Sequence, residues 1–217
     1  MINTVIINGS PKVKNSGSSR FIEKIEEFIG KSTVYQATQL IQMENNSEAI
    51  LDILKAEVFL FVFPLYIDSL PAPLIKVLTM LEQAATDTNG KSPRVYAICN
   101  CGFFEAEHTQ VALDILKNFS TSLGMRWGYG IGIGGGGLVS SQSKNISKDG
   151  SASNVYTVLL ELGKEIENSY TKKQNIFVSP KIPRFLYKFG GNLGWCQMAI
   201  KYGTIKSIKA KPHVLKK

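Results

Sequence analysis

Continuous apolar runs alternate with amphipathic stretches over the first 170 or so residues. The runs at 3–8, 57–63 and 94–99 are largely continuous and apolar, as strands of a parallel sheet covered on both faces require. Shorter or glycine-interrupted runs at 32–36 and 127–133 complete five predicted strands. Helices are predicted at 18–30, 47–55, 73–86, 107–123 and 153–170, where apolar residues recur at three- and four-residue spacings. Pro73 suits the first turn of the third of these, and Gly124 stops the fourth. Five strand–helix units predict an α/β fold, a doubly wound five-stranded parallel sheet with helices on both faces. Such sheets hold ligands beyond the carboxyl ends of their strands, which points to the loops 9–18, 64–72, 100–106 and 134–151.

The first loop, Asn8-Gly9-Ser10-Pro11-Lys12-Val13-Lys14-Asn15-Ser16-Gly17-Ser18-Ser19, runs from a buried strand into a helix. Free N–H groups at the helix start, the positive end of its dipole and several hydroxyls make a cradle for a phosphate. It lacks the Gly-Lys-Ser/Thr ending of a nucleotide P-loop. A Gly-x-Gly-x-x-Gly pattern occurs at Gly130–Gly135, but it begins inside the last predicted strand and a polar loop is expected after it. That segment is therefore taken as a flexible glycine turn beside the site. Pro64-Leu65-Tyr66 closes the most apolar strand, so Tyr66 either stacks on a planar ligand or caps the core. Asn100-Cys101-Gly102-Phe103 closes the next strand; Gly102 lets backbone approach a ligand, and Phe103 faces either ligand or core. No Ser-His-acid set, metal-ligand spacing or carboxylate pair stands out, as suits chemistry carried by a bound cofactor.

Composition refines this picture. No apolar run is long enough for a membrane span, and Met1 leads straight into the first strand, so no secretory signal is expected. Cys99, Cys101 and Cys196 fit buried thiols in a reducing cytoplasm better than a disulfide frame. The net charge of +8 is unevenly placed. Residues 172–217 hold 11 of the 25 Lys and Arg and none of the 17 acids, leaving 14 cations against 17 acids, net −3, in residues 1–171. A nucleic-acid module would carry its basic face on the fold itself, so no nucleic-acid partner is expected.

Together, Gly9-Ser10-Pro11-Lys12 with Ser16-Gly17-Ser18-Ser19, Pro64-Leu65-Tyr66 and Asn100-Cys101-Gly102-Phe103 resemble the flavodoxin-like NAD(P)H-dependent FMN reductases, with their quinone and azo reductase relatives. The resemblance spans residues 1–171 and implies a flavodoxin-like domain that binds FMN without a covalent link. It implies Ser10, Ser16, Ser18 and Ser19 around the phosphate, with Lys12 standing where the family often has Arg. Pro64, Leu65 and Tyr66 would then lie along the isoalloxazine and Asn100 and Gly102 by its pyrimidine edge, with Cys101 and Phe103 as further cofactor-binding residues of the same loop. NADPH or NADH would be the electron donor, a quinone, azo compound or free flavin the acceptor, and a homodimer the expected assembly. A flavodoxin-like electron carrier that docks a redox partner through its basic tail is the rival.

The basic C-terminal extension, 172–217, is expected to be helical, with one short helix from Pro183 to Gly190 and a second from Asn192 to Gly203. Its mixed aromatics and cations suit a membrane surface, packing on the core or a partner subunit, or recruitment of NADPH phosphates. Packing is favoured here, because neither short segment can carry a strong apolar stripe.

Overall fold

The run Thr4–Asn8 forms a strand (β1) buried at every position; Val58–Pro64 (β3) pairs beside it and Arg94–Asn100 (β4) beside β3, and these three make the centre of the sheet. Their apolar residues point alternately to two separate cores, which is why these runs are continuous rather than alternating. Adding Ser32–Gln36 (β2), Arg126–Ile133 (β5) and Ile176–Val178 (β6) gives a parallel sheet of order β2-β1-β3-β4-β5-β6. The computed structural model describes residues 2–43, 46–85, 92–141, 146–168 and 174–208. The far ends of the predicted helices 73–86 and 153–170, part of the loop 134–151, and the end of the basic extension lie outside them.

The first five strands follow the flavodoxin-like order, and the sixth corrects the expected count of five. Ile176, Phe177 and Val178 were assigned to the tail because three residues give too short a run to read as a strand. They hold because β6 pairs with Ile131–Ile133 and because Asn175 Oδ1 accepts from Gly130 N–H at 2.8 Å.

The helices are Gly17–Glu26 (α1), Ala37–Leu40 (α2), Asn46–Leu54 (α3), Ala72–Ala84 (α4), Gln110–Ser122 (α5), Gly136–Ser141 (α6), Ser153–Asn168 (α7) and Arg184–Lys201 (α8). One core lies between the sheet and α3, α4 and α5, and the other between the sheet and α1 and α7. Helix α1 ends four residues earlier than predicted, and a 3₁₀ turn, Ala106–Thr109, takes the start of the predicted fourth helix. Gly124 ends α5 in the left-handed region at φ 68°, its N–H donating to Thr121 O at 3.1 Å.

The chain divides into Met1–Lys181 and Ile182–Lys217. Within the second unit, one continuous helix, α8, replaces the two predicted short ones. Gly190 and Gly191 do not break it, since glycine weakens a helix without forbidding it. Among the described residues, no helix is long and apolar enough to cross a membrane.

Candidate functional site

The carboxyl ends of β1, β3 and β4 meet the first turn of α1, and hydrogen bonds fix how. Ser16 is the N-cap of α1: its Oγ accepts from Ser19 N–H at 3.0 Å and lies 2.8 Å from Ser19 Oγ. Asn8 Nδ2 donates to Ser19 Oγ at 3.3 Å, while Asn8 Oδ1 accepts from Ser10 N–H at 3.0 Å. Ser10 Oγ accepts in turn from Lys12 N–H at 3.2 Å, and Gln36 Nε2 donates to the Ser10 carbonyl at 2.5 Å. Asn15 takes a left-handed φ of 52° just before the cap, turning the chain into the helix.

Ser10, Ser16 and Ser18 are buried, and Ser19 is half-buried, so the structure brings all four predicted serines around one helix start. The amides of Gly17 and Ser18, first-turn residues, have no intrahelical acceptor and are the natural donors to a ligand there. No acid occupies that turn, so the helix end keeps its full attraction for an anion. Lys12 is exposed and joins the cluster through its backbone alone.

Pro64 pairs with Asn100 across β3 and β4, and Leu65 N–H donates to the Asn100 carbonyl at 2.8 Å, which sets the two loops side by side. Tyr66 and Ser69 exchange backbone hydrogen bonds of 3.1 and 2.9 Å around Ile67 and Asp68, both at positive φ. Tyr66 is 48% exposed and Phe103 52%, so neither is a core aromatic. Phe103 instead packs against His108, with ring centroids 4.4 Å apart. A Cβ on Gly102 would meet nothing within 4 Å, so there is room beside its Cα.

Two predicted residues turn inward. Asn100 Nδ2 donates to Ser18 Oγ at 3.4 Å and to the Phe63 carbonyl at 3.1 Å, so its amide is spent joining protein elements. Cys101 is buried, its thiol within 3.6 Å of the Phe103 carbonyl and 3.7 Å of the Glu105 carbonyl. Burial pushes the Cys101 thiol above its ordinary range and the Cys99 thiol well above it, so both stay protonated at neutral pH.

Sequence reasoning missed Asn8, Gln36 and Ser140. The first two are single polar residues ending apolar strands, a signal visible in hindsight but shared with many strand ends. Ser140 belongs to α6, the helix that occupies part of the supposed glycine turn; a Cβ on Gly17 would sit 3.0 Å from its Oγ. The expectation of a polar loop after Gly130–Gly135 is thereby corrected. Gly135, at φ 61°, supplies the turn into α6, and Gly136 N–H donates to the Cys101 carbonyl at 2.8 Å.

The sequence matches no protein-family model, and no curated protein matches it. Solved structures do. The Trp repressor binding protein of Bacillus subtilis matches at TM-score 0.56 and 14% identity, over 78% of this chain and all of its own. A NAD(P)H:quinone oxidoreductase of Methanothermobacter marburgensis matches at TM-score 0.56 and 12% identity, over 80% and all. An FMN-dependent NADH-azoreductase of Bacillus anthracis, solved in complex with FMN, matches at TM-score 0.52 and 18% identity, over 76% and all. At these identities the likeness is one of fold: the chain has the flavodoxin-like α/β architecture, shared with quinone and azo reductases of the kind its loop motifs resemble.

Proposed function

We propose that this chain is an FMN-dependent NAD(P)H oxidoreductase that reduces a small acceptor such as a quinone, an azo compound or free flavin. One observation carries the proposal: an acid-free, serine-lined helix start adjoins the paired tips of β3 and β4. The donor set fits a phosphate monoester, since first-turn amides and serine hydroxyls can donate to it, no acid occupies that turn, and the nearby loop cations are Lys12 and Lys14. The empty space beside the Gly102 Cα and the half-exposed rings of Tyr66 and Phe103 fit a planar ring system.

Ser10, Ser16, Ser18 and Ser19, with the amides of Gly17 and Ser18, would hold the phosphate. Pro64, Leu65 and Tyr66 form the stiff wall on one side of the ring site, and Gly102 and Phe103 the other edge. Bound FMN supplies the hydride chemistry between nicotinamide and acceptor. Asn100 is a positioning residue: its two hydrogen bonds keep the phosphate and ring loops in one register. Cys101, a neutral thiol, braces its own loop by donating to carbonyls within it. Tyr66 and Phe103 shield the ring site from water. NADPH or NADH serves as donor, and the working form is a homodimer.

Titrating the purified protein with FMN, then following NADPH and NADH oxidation with a soluble quinone, tests this directly. Saturable flavin quenching and parallel double-reciprocal plots are expected. Absence of flavin binding overturns the proposal, and reduction by nicotinamide too slow for turnover would make the protein an electron carrier.

A further inference from the structure

The second structural unit, taken by itself, presents a surface that the flavin chemistry does not use. In α8, Phe185, Phe189, Leu193, Cys196 and Ile200 recur at spacings of four, four, three and four, which places them on one stripe. The large members stay in solvent: Phe185 is 69% exposed, Phe189 61%, Leu193 49% and Ile200 65%. Leu186 widens the stripe, and Ala199 is the one buried residue of the helix. Because α8 is continuous, the stripe extends over 18 residues, about 27 Å, long enough to act as a surface. A contiguous apolar strip of this kind is rare on a soluble monomer and marks a place where something docks.

Charge selects the occupant. Arg184, Lys188 and Lys201 lie on the same helix, Lys206 follows it, and no acid occurs anywhere from 172 to 217. Two copies of this segment would bring like charges together, which disfavours a second copy as the cover. Lysine stems let their ammonium groups reach anionic lipid while the carbons stay in apolar surroundings.

We propose that α8 is an interfacial helix that lies in the surface of an anionic bilayer, burying its Phe185–Ile200 stripe while its cations meet lipid phosphates. The helix does not span, in keeping with its charge content. The proposal stands apart from the flavin assignment, because it rests on residues of the second unit alone.

The test is sedimentation of the full-length protein with vesicles of phosphatidylcholine alone or with about one third phosphatidylglycerol. At least about tenfold more binding to the anionic vesicles is expected, weakening as KCl is raised. Phe189→Ser with Leu193→Ser should abolish pelleting, and Lys188→Gln with Lys201→Gln should weaken it at low salt. No pelleting with anionic vesicles overturns the proposal. Unchanged pelleting of the Ser variant also overturns it, because charge alone would then suffice. A lipid-free dimer that the same Ser substitutions dissociate, seen by light scattering, would give the stripe to a second copy instead.

Discussion

The Asn100 side-chain amide donates to Ser18 Oγ at 3.4 Å, tying the tip of β4 to the first turn of α1 across 82 residues of sequence. The same nitrogen donates to the Phe63 carbonyl, so one side chain joins three elements at the mouth of the site. Removing it leaves a buried carbonyl and hydroxyl short of a donor. Asn100→Ala should lower unfolding stability by about 1–3 kcal/mol in urea titration and weaken FMN binding, because the loops lose their common register. Asn100→Ala with wild-type FMN affinity would show that the tie does not position the ligand.

Gly102 separates ligand binding from folding. A Cβ there meets nothing within 4 Å, and its φ is not in the left-handed region, so Gly102→Ala should leave the melting temperature of the ligand-free protein unchanged. Where a flat ring lies against that backbone, the added methyl must collide with it. FMN affinity should therefore fall several-fold by fluorescence titration; equal affinity would move the ring elsewhere.

The cysteines give a pH prediction of definite sign. Burial, with Cys101 nearby, holds the Cys99 thiol well above its ordinary value of 9.0, and burial raises Cys101 as well. The unfolded chain then releases those protons at a lower pH than the folded one. Their contribution to stability is complete below about pH 9 and is lost as pH climbs through the raised folded values. Urea unfolding should show lower stability at about pH 10 than at neutral pH, with Cys99→Ala flattening part of the fall. In the native protein, alkylation at neutral pH should reach the partly exposed Cys196 before either buried thiol.

Ile67 and Asp68 form the two central residues of the Tyr66–Ser69 hairpin, at φ 47° and 54°, and Ile67 is 97% exposed. A β-branched residue in the left-handed region costs about 1–2 kcal/mol and gains no burial here. Ile67→Asn with Asp68→Gly, the pair such a turn prefers, should raise the melting temperature by about 2–4 °C. An unchanged or lower value in calorimetry would mean that Ile67 is held by contacts the exposed turn does not supply.

Much of this arrangement was legible in the sequence because burial on both faces leaves unbroken apolar runs, as in Val58–Phe63, and because a cap serine such as Ser16 marks a helix start. What escaped notice depends on tertiary contacts. Three residues of β6 carry no periodicity, and Ile176–Val178 is a strand only because Ile131–Ile133 lies beside it. The α6 helix was hidden by glycines, whose weak local preference yields to hydrogen bonds such as that from Gly136 to the Cys101 carbonyl. The serines around α1 stand out as a run of small hydroxyl residues between a strand and a helix, yet nothing local marks Asn8 and Gln36 as the polar side chains that bond to Ser10 and Ser19. Asn100 was expected beside the ring edge of a cofactor, whereas its side-chain amide turns inward to Ser18 and the Phe63 carbonyl.

The sixth strand also bears on how the protein can be handled. Ser179, just beyond it, donates through Oγ to the Phe104 carbonyl at 2.5 Å, and Asn154 donates to the Ser179 carbonyl. A truncation that stops near residue 171 would strip away this strand and its clasp along with the basic tail. The outer backbone of Ile131–Ile133 would then be left as a raw sheet margin, ready to recruit a neighbouring molecule into cross-molecule pairing. Insoluble product from such a truncation would report a missing selvedge rather than any property of the tail, and a cut after Lys181 avoids the confusion.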